Sequence, residues 1–364
     1  MKNNKFFRLF PPPKFLKTPR ISIDLSDESI HVLELGLTQK GYIIKQQDTK
    51  FITSGLVDSG RILDMTKMQK IFTQMKVDYN LQFVNVSLPE EHGYVFSIRI
   101  PQMKPSDIYG YLELQIEERV PLSIKNAVIT YDVIQGDNPE DNLAFIELSV
   151  SVYPKNILDE YIELFLGAGV IPFCLEIETQ ATARAVVSKG NKGVFMILDF
   201  GKNRTVLSVV SREVVQFTST INIGGNTITH ALARALSICI SDAEKVKKEK
   251  GFLVTKGDEK ILRALIPTIS ALKSEVVKHY QYWNTHNNNF GAKNPQIDGI
   301  ILCGGSANLL GLLDYLMLDF NTNVQFANVF ENVNSFEKYI PHTFFENSLH
   351  YAVAIGLALL PDES

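Results

Sequence analysis

Two aspartates, Asp24 and Asp199, end apolar segments, and each is followed by a short polar turn and a second apolar segment. The two stretches are ISIDLSDESIHVLELG (21–36) and VFMILDFGKNRTVLSVV (194–210). In such a hairpin the turn N–H groups point outward at the strand ends and favour an anion. If the hairpins face each other, their turns can hold a phosphate chain while the two carboxylates hold a hydrated Mg²⁺. A single aspartate at the end of a strand is common, because aspartate stabilises turns. Two in matching positions predict a site for magnesium and phosphate.

Glycines stand where a ligand would approach the backbone. Gly224 and Gly225 precede a predicted helix, and Gly304, Gly305 and Ser306 lie between a predicted strand and a helix. A missing Cβ lets the backbone come close to a ligand, and a helix N-terminus favours negative charge. Each glycine pair alone is weak evidence for a ligand site, since close turns need glycine anyway.

Two charged residues, Glu244 and Lys247, lie on one face of a predicted helix and could reach ribose hydroxyls. Exposed helix charges are more often simply solvated. The common nucleotide, metalloprotease and serine-hydrolase signatures are missing from the sequence, which has no GxxxxGK[ST], GxGxxG, HExxH or GxSxG motif. Any nucleotide site must therefore be of another type.

The predicted elements that position these residues repeat along the chain. A β-β-β-α-β order occurs twice, the second time with a helical insertion before its last strand. Between the copies, a strand-helix-strand-strand-helix-strand order predicts a small α+β module. After it, ETQATARAVVSKG predicts a helix whose Ala181, Ala183 and Ala185 permit close packing against a neighbour. The predicted domains are an N-terminal arm (1–19), a first lobe (20–92, completed by 175–192 and 346–360), an inserted α+β subdomain (93–174) and a second lobe (193–345) with a helical insertion at about 227–296.

Length and composition bound the class of protein. With 364 residues, 45% of them hydrophobic and 21% charged, the chain is long enough for two folded domains. The net charge of -4 argues against nonspecific binding of nucleic acid, which needs clustered cations. The three cysteines are widely spaced in apolar segments, which indicates buried thiols in a reducing compartment. No run approaches the roughly 18 apolar residues of a membrane span, so we expect a cytoplasmic protein.

The N-terminal arm has an unusual composition. KFFRLFPPPKFLKTPR (5–20) mixes aromatic and basic residues around a proline triplet that forbids a continuous helix. The arm packs its aromatics on the body of the protein, or it contacts a membrane surface or a partner.

Six segments carry a resemblance to a known family. They are IDLSDESIHVLEL, EIETQATARA, LDFGKNRTVLSV, INIGGNTIT, ISDAEKVKKEKG and ILCGGSANLLGLLDYL. In this order they resemble the actin-like ATPase superfamily, and within it the bacterial PilM family of type IV pilus assembly proteins, which is related to the cell-division protein FtsA. The resemblance extends from about Pro19 to Leu360. PQMKPSDIYGYLELQIEERVPLSIKNAVITYDVI (101–134) is similar to the inserted subdomain of that family, of the SHS2 type.

The resemblance implies an α/β (α+β) fold of the actin-like, ribonuclease H-like type, with two lobes and ATP with magnesium in the cleft between them. It also implies roles for individual residues. Glu178 would orient the attacking water in a hydrolysing relative. Asp24, Ser26 and Ser29 would form the first phosphate turn, Asp199, Gly201 and Thr205 the second, Gly304, Gly305 and Ser306 the adenosine segment, and Glu244 and Lys247 the ribose side.

The family also implies a function. The protein would be a component of the pilus inner-membrane platform, peripheral to the membrane, with no transmembrane segment of its own. Its partner would be the cytoplasmic N-terminal tail of a PilN-like membrane protein, lying along the first lobe and the inserted module, together with other platform components. It would be an adaptor that binds ATP with at most weak ATPase activity.

The first turn departs from the family pattern. Where a glycine and small hydroxyl residues are usual, this chain has Ser26, Asp27 and Glu28, and His31 replaces the common lysine. Two carboxylates beside a triphosphate repel it by about 1 kcal/mol or more each unless they point to solvent. Asp27 and Glu28 therefore oppose the binding of ATP.

Two alternatives belong to other functional classes. An ATPase or sugar kinase of the same superfold is one, although the sequence offers no convincing aspartate base beside a sugar pocket. An FtsA-like division protein is the other, and it would be expected to end in an amphipathic membrane-binding tail rather than LALLPDES.

Overall fold

A computed structural model describes residues 20–361 of the chain, except 40, 135–144, 254–257, 287–292 and 335–338. The predicted N-terminal arm (1–19) lies outside the described residues. No helix in the described ranges is both long enough and apolar enough to cross a membrane.

The strands alternate apolar and polar residues or are apolar throughout, as half-buried and fully buried strands do. In chain order they are β1 (Arg20–Leu25), β2 (Ser29–Thr38), β3 (Gly41–Phe51), β4 (Val57–Asp58), β5 (Arg61–Ile62), β6 (Phe83–Leu88), β7 (Tyr94–Pro101), β8 (Ala127–Ile134), β9 (Phe145–Pro154), β10 (Ile171–Ile177), β11 (Val194–Phe200), β12 (Thr205–Ser211), β13 (Val214–Ile221), β14 (Gly299–Cys303) and β15 (Asn323–Phe326).

The helices follow apolar positions that recur every three or four residues. In the first of them Met68, Phe72 and Met75 are fully buried, and the Asp64 side chain caps the helix by accepting a hydrogen bond from the Lys67 N–H. In chain order the helices are α1 (Met65–Tyr79), α2 (Pro105–Ile116), α3 (Lys155–Gly167), α4 (Glu178–Val186), α5 (Gly225–Leu236), α6 (Ile240–Lys250), α7 (Glu259–Thr285), α8 (Leu312–Met317), α9 (Phe345–Ser348) and α10 (Ala352–Ala358).

Two sheets form the body of the protein. The first has the order β10-β6-β1-β2-β3, and the second begins β15-β14-β11-β12-β13. In both, a meander of three antiparallel strands is joined by a parallel strand: β6 pairs with β1, and β14 pairs with β11. The two copies of β-β-β-α-β predicted from the sequence are therefore present.

The inserted module extends the second sheet. Strands β7, β9 and β8 follow β13 in the sheet order, and β13 meets β7 at the antiparallel pair Phe217 and Phe96. The module has its own hydrophobic core, in which Leu112 and Ile116 of α2 pack against Ile100 and Leu148 of the strands. It is a separate unit in its packing, although it shares a sheet with the second lobe.

Two elements predicted for the module belong instead to the first lobe. Strand β10 pairs in parallel with β6, and α3 packs against α1, where the Phe72 and Phe165 rings lie 4.7 Å apart. The predicted module boundary at 174 is therefore wrong, because the module strands β7 to β9 end at Pro154. Parallel pairing of β10 with a strand about 90 residues earlier leaves no local sequence signal.

Helices α4 and α10 pack at very close range. The small residues of α4 that predicted a close neighbour include Ala181, which is fully buried. Its partner is Gly356 of α10, where a Cβ would overlap the backbone carbonyl of Ala181. The Asn85 side chain of β6 also donates a hydrogen bond to the Leu357 carbonyl, at 3.0 Å, so that α10 is held to the first sheet.

We predict that Gly356→Ala destabilises the protein by about 3 kcal/mol, the upper end of the usual overpacking range, because the clash is with backbone. The matched control is Gly110→Ala on α2, where nothing lies within 4 Å of the added Cβ. That substitution should be neutral or stabilising by about 0.5 to 1 kcal/mol. Urea unfolding of both variants measures the difference, and equal stabilities would contradict the close packing.

Candidate functional site

Asp24 lies at the end of β1, beside the parallel strand β6. Its side chain is 7% exposed, and its Oδ1 accepts a hydrogen bond from the Ser87 hydroxyl at 2.8 Å. The same hydroxyl accepts the Leu25 N–H at 3.2 Å, which fixes its proton toward the carboxylate. Burial raises the pKa of Asp24 to about 6, although Ser87 and Arg204 oppose the shift.

Asp199 occupies the equivalent place in the second lobe, near the end of β11. It lies opposite Cys303 of the parallel strand β14. Gly304 follows with φ of 87°, and a Cβ there would overlap Asp199 Oδ1. Burial raises the pKa of Asp199 to about 7, and the charges of Glu178 and Asp24 add to the shift. The structure thus brings Asp24, Asp199 and Glu178 into one electrostatic cluster.

Glu178 is the first residue of α4, and its side chain is 17% exposed. Its Oε1 accepts the N–H of Glu90 at 3.2 Å and lies 3.6 Å from Arg204 Nη2. Burial raises its pKa, and Arg204 works against that rise. Glu178 is therefore engaged with protein groups.

Arg204 is one of the site residues that the sequence analysis missed, together with Lys202, Asn203 and Glu91. It lies in the turn between β11 and β12, with a side chain only 16% exposed. Its Nη1 is 3.3 Å from Glu91 Oε1 and 3.7 Å from Asp27 Oδ2. Burial disfavours its positive charge, but the carboxylates of Glu178, Glu91 and Asp27 outweigh burial and raise its pKa. Arg204 therefore joins the second lobe to three carboxylates of the first.

The hairpin turns of the two lobes contact each other directly. Lys202 forms an ion pair with Glu28, and Asn203 Nδ2 donates to Asp27 Oδ2 at 2.7 Å. We call these four residues together with Arg204 the interlobe clasp. The acidic residues that opposed phosphate binding in the sequence analysis thus have partners on the facing turn. The signal that could have revealed this contact is the opposite charge of the turns, SDES in one and GKNR in the other.

Backbone N–H groups at the second turn are used within the protein. The Gly201 N–H donates to the Arg204 carbonyl at 2.9 Å. The first two residues of α5 also donate to this turn: Gly225 to the Gly201 carbonyl at 3.1 Å and Asn226 to the Lys202 carbonyl at 2.7 Å. The N-terminus of α5, predicted to favour a ligand anion, is packed on the turn instead.

The first turn is closed by its own side chains. Ser26 Oγ lies 2.8 Å from Ser29 Oγ, and the Ser26 N–H donates to the Ser29 carbonyl at 2.9 Å. His31 continues the chain of hydrogen bonds, with Nε2 3.3 Å from Ser29 Oγ and Nδ1 2.9 Å from Thr49 Oγ1. Thr49 in turn lies 2.7 Å from the Tyr351 hydroxyl. Burial lowers the pKa of His31 to about 4, so that it is neutral at pH 7.

The glycine segments make close protein contacts. A Cβ on Gly224 would overlap the backbone of Lys202 and Asn203, and one on Gly305 would overlap the His350 ring. Ser306 donates its hydroxyl proton to the Gly201 carbonyl at 2.8 Å and leaves no room for a Cβ on Gly225. Backbone packing is thus sufficient to require these glycines.

The charged pair on α6 is bonded to α5. Lys247, 8% exposed, donates to Thr229 Oγ1 at 2.9 Å and pairs with Glu244 at 2.7 Å. In the second turn region, Thr205 donates to the Ile223 carbonyl at 2.7 Å. The nucleotide roles of the site residues stay predictions.

As placed, the residues between the turns do not fit a magnesium triphosphate, because Asp27 and Glu28 are bonded directly to the facing turn. Among the described residues, no three His, Cys, Asp or Glu side chains are arranged to hold a metal ion. Magnesium held through water by Asp24 and Asp199 stays a prediction. The cluster contains seven carboxylates and two cations: Asp24, Asp27, Glu28, Glu90, Glu91, Glu178 and Asp199 with Lys202 and Arg204.

Comparison with known proteins identifies the relatives. A family model described as type IV pilus assembly protein PilM matches residues 22–361. The cell division protein FtsA of Enterococcus hirae is 25% identical over 232 residues, 57% of this chain and 51% of that protein. The chain thus spans about half the length of this curated relative.

Solved structures show the same fold and confirm the predicted actin-like fold class. A structure described as the PilM-PilN type IV pilus biogenesis complex has a TM-score of 0.77 at 18% identity, covering 94% of this chain and 98% of that one. EutJ from Carboxydothermus hydrogenoformans has a TM-score of 0.55 at 15% identity, covering 96% and 92%. MreB5 of Spiroplasma citri bound to ADP has a TM-score of 0.55 at 14% identity, covering 93% and 95%.

We predict that Asp199→Asn becomes more stabilising as pH rises. A carboxyl with a raised folded-state pKa contributes stability that is present below pH 4 and is lost as pH rises through about 7. Asparagine does not ionise and escapes this loss, so its advantage over the wild type should grow between pH 5 and pH 8, to about 1 kcal/mol or more. Urea unfolding in buffer without divalent cations measures it.

The control is Asp64, where the Lys67 N–H lowers the pKa of the carboxyl, so it is ionised throughout this pH range and Asp64→Asn should show no such growth. If the free energies of unfolding of Asp199→Asn and the wild type differ by the same amount across this pH range, the buried acidic cluster is contradicted.

Proposed function

This chain belongs to the family of type IV pilus assembly protein PilM, and from that premise we propose that it is an adaptor of an inner-membrane assembly platform. The platform would serve a type IV pilus or a related secretion system. The observation that carries the proposal is the family match over residues 22–361. Similarity over 94% of the chain to a protein in a PilM-PilN complex supports it.

We propose that its partner is the cytoplasmic N-terminal segment of a PilN-like membrane protein. Binding this segment would hold the chain at the inner face of the cytoplasmic membrane, where it could contact other platform components. The proposal needs no chemical step.

The proposed peptide site lies between the first lobe and the inserted module. Strand β10 ends the first sheet and β8 ends the second. Arg184 of α4 donates to Glu176 of β10 at 2.7 Å and interacts electrostatically with Asp132 of β8, so the two edges flank the same helix. Gln180 of α4 also donates to Ser151 of β9 at 3.0 Å, which ties the module to this helix.

Edge strands offer backbone hydrogen bonds to an extended peptide, and alternate side chains give specificity. Apolar side chains are exposed at both edges, with Val133 of β8 52% exposed and Ile171 of β10 47% exposed. An extended segment with apolar residues at alternate positions would bury them. This chemistry matches a short peptide better than a globular surface.

ATP with magnesium, which the resemblance implies, is not part of this proposal. The adaptor role rests on the peptide site, which lies on other elements than the two hairpin turns. A nucleotide would act on peptide binding only by changing how the lobes are placed.

We predict that Val133→Glu weakens binding of the PilN-like N-terminal peptide at least tenfold, because a charge replaces an apolar contact at the strand edge. The control is Val77→Glu on α1, a valine that is more exposed than Val133, at 77% against 52%, and this change should leave affinity unchanged. Isothermal titration calorimetry with the synthetic peptide gives both values.

Absence of peptide binding to the wild type would contradict the proposed function. Equal loss in both variants would contradict the proposed site while leaving the partner in place.

A further inference from the structure

The first-lobe and second-lobe turns carry opposite charges that meet in pairs. Glu28 pairs with Lys202, and Asp27 accepts the Asn203 amide at 2.7 Å and lies 3.7 Å from Arg204. Both turns are hairpin turns of corresponding strands in the repeated halves of the fold. Their contact therefore joins the lobes at the point where the two halves face each other.

Arg204 extends this contact into the interior. Its guanidinium reaches Glu91, which follows β6, and Glu178, which begins α4, at 3.3 and 3.6 Å. These contacts are ion pairs, and charges with little access to solvent are screened less than exposed ones. Arg204 thus neutralises carboxylates from three separate segments of the first lobe.

A second bond between the lobes lies alongside. Thr220 of β13 donates its hydroxyl proton to Glu90, a residue that is 4% exposed. The acceptor precedes Glu91, which contacts Arg204, so the two bonds share one first-lobe segment. Two consecutive first-lobe residues, Glu90 and Glu91, therefore contact the second lobe.

We propose that the interlobe clasp takes the place of a nucleotide: it holds the lobes together by itself, and Mg·ATP neither binds between the turns nor changes their contact. A triphosphate entering here would have to separate Lys202 and Asn203 from Glu28 and Asp27. It would then face those carboxylates without their second-lobe partners, although Asp27 would still accept the Gly60 N–H. The cations that could bind a phosphate here, Lys202 and Arg204, are already paired with carboxylates of the first lobe.

The glycine contacts support the same conclusion. Gly224 packs on the backbone of Lys202 and Asn203, and the Gly225 and Asn226 N–H groups donate to carbonyls of that turn. The helix N-terminus therefore supports the clasp from behind. Its amides hold the turn in the position from which Lys202 and Arg204 reach the first lobe.

The first test measures nucleotide binding to the full chain. In 1 mM Mg·ATP we expect no shift in melting temperature and no change in hydrogen–deuterium exchange in peptides covering 24–30 and 199–206. A nucleotide present at 100 times its Kd stabilises a protein enough to move the melting temperature measurably. Such a shift, or slower exchange in both turns with Mg·ATP, would overturn the proposal.

The second test reverses one charge of the clasp. Glu28→Lys places two cations opposite each other and should speed exchange in both turns at least threefold. Combining it with Lys202→Glu restores an ion pair and should return exchange to near the wild-type rate. The matched control is Glu249→Lys on α6, an exposed glutamate that should change neither turn.

Both single changes lie at side chains that retain solvent access, 28% for Glu28 and 54% for Lys202, so the variants should fold. If exchange in the two turns stays fast in the double variant, the proposed role of the Glu28–Lys202 pair is overturned. A wild-type rate in Glu28→Lys would overturn it as well.

For the proposed adaptor role, the clasp implies that peptide affinity is the same with and without Mg·ATP. This expectation rests on the proposed function. The exchange measurements use no peptide, so failure of the adaptor proposal and failure of the clasp give different results.

Discussion

The ion pairs of Arg204 are the interaction on which the arrangement of the two lobes depends. A buried cation is stable only when opposite charges and hydrogen bonds compensate its loss of water. Here the compensation comes from Asp27, Glu91 and Glu178, all on the first lobe, while the cation itself belongs to the second. Separating the lobes would break these ion pairs and leave an excess of carboxylates on the first lobe. Electrostatics thus opposes opening of the cleft.

The same requirement explains why two acidic residues stand in the first turn. Asp27 and Glu28 are unfavourable beside phosphate but favourable beside Asn203 and Lys202. Whether these two carboxylates stabilise or destabilise the site therefore depends on which groups the facing turn presents to them. An actin-like fold can therefore keep its two-lobed shape with contacts made by protein alone, which suits a protein whose proposed work is to bind a peptide.

Much of the fold could be predicted from the sequence because it is repeated. A strand ending in aspartate, a polar turn and a second strand occur twice, and the family resemblance extended this pattern to the whole chain. What failed was the assignment of α3 and β10, which join the first lobe through packing on α1 and parallel pairing with β6. Such contacts between distant segments leave no periodicity in either segment.

The candidate site was less predictable. Asp24 and Asp199 stood out because each closes an apolar strand, but Arg204 is one cation in a polar turn, and no local pattern says which way it points. Only the complementarity of Asp27 and Glu28 with Lys202 and Arg204 gave a signal, and reading it requires knowing that the turns face each other. The most direct test of the account is the distance between the lobes, measured by double electron–electron resonance between spin labels at Val77→Cys and Leu318→Cys, both at positions 77% exposed. In a Cys174→Ser and Cys239→Ser background we expect one narrow distance that Mg·ATP leaves unchanged; a broad distribution that narrows or shifts with Mg·ATP would contradict it.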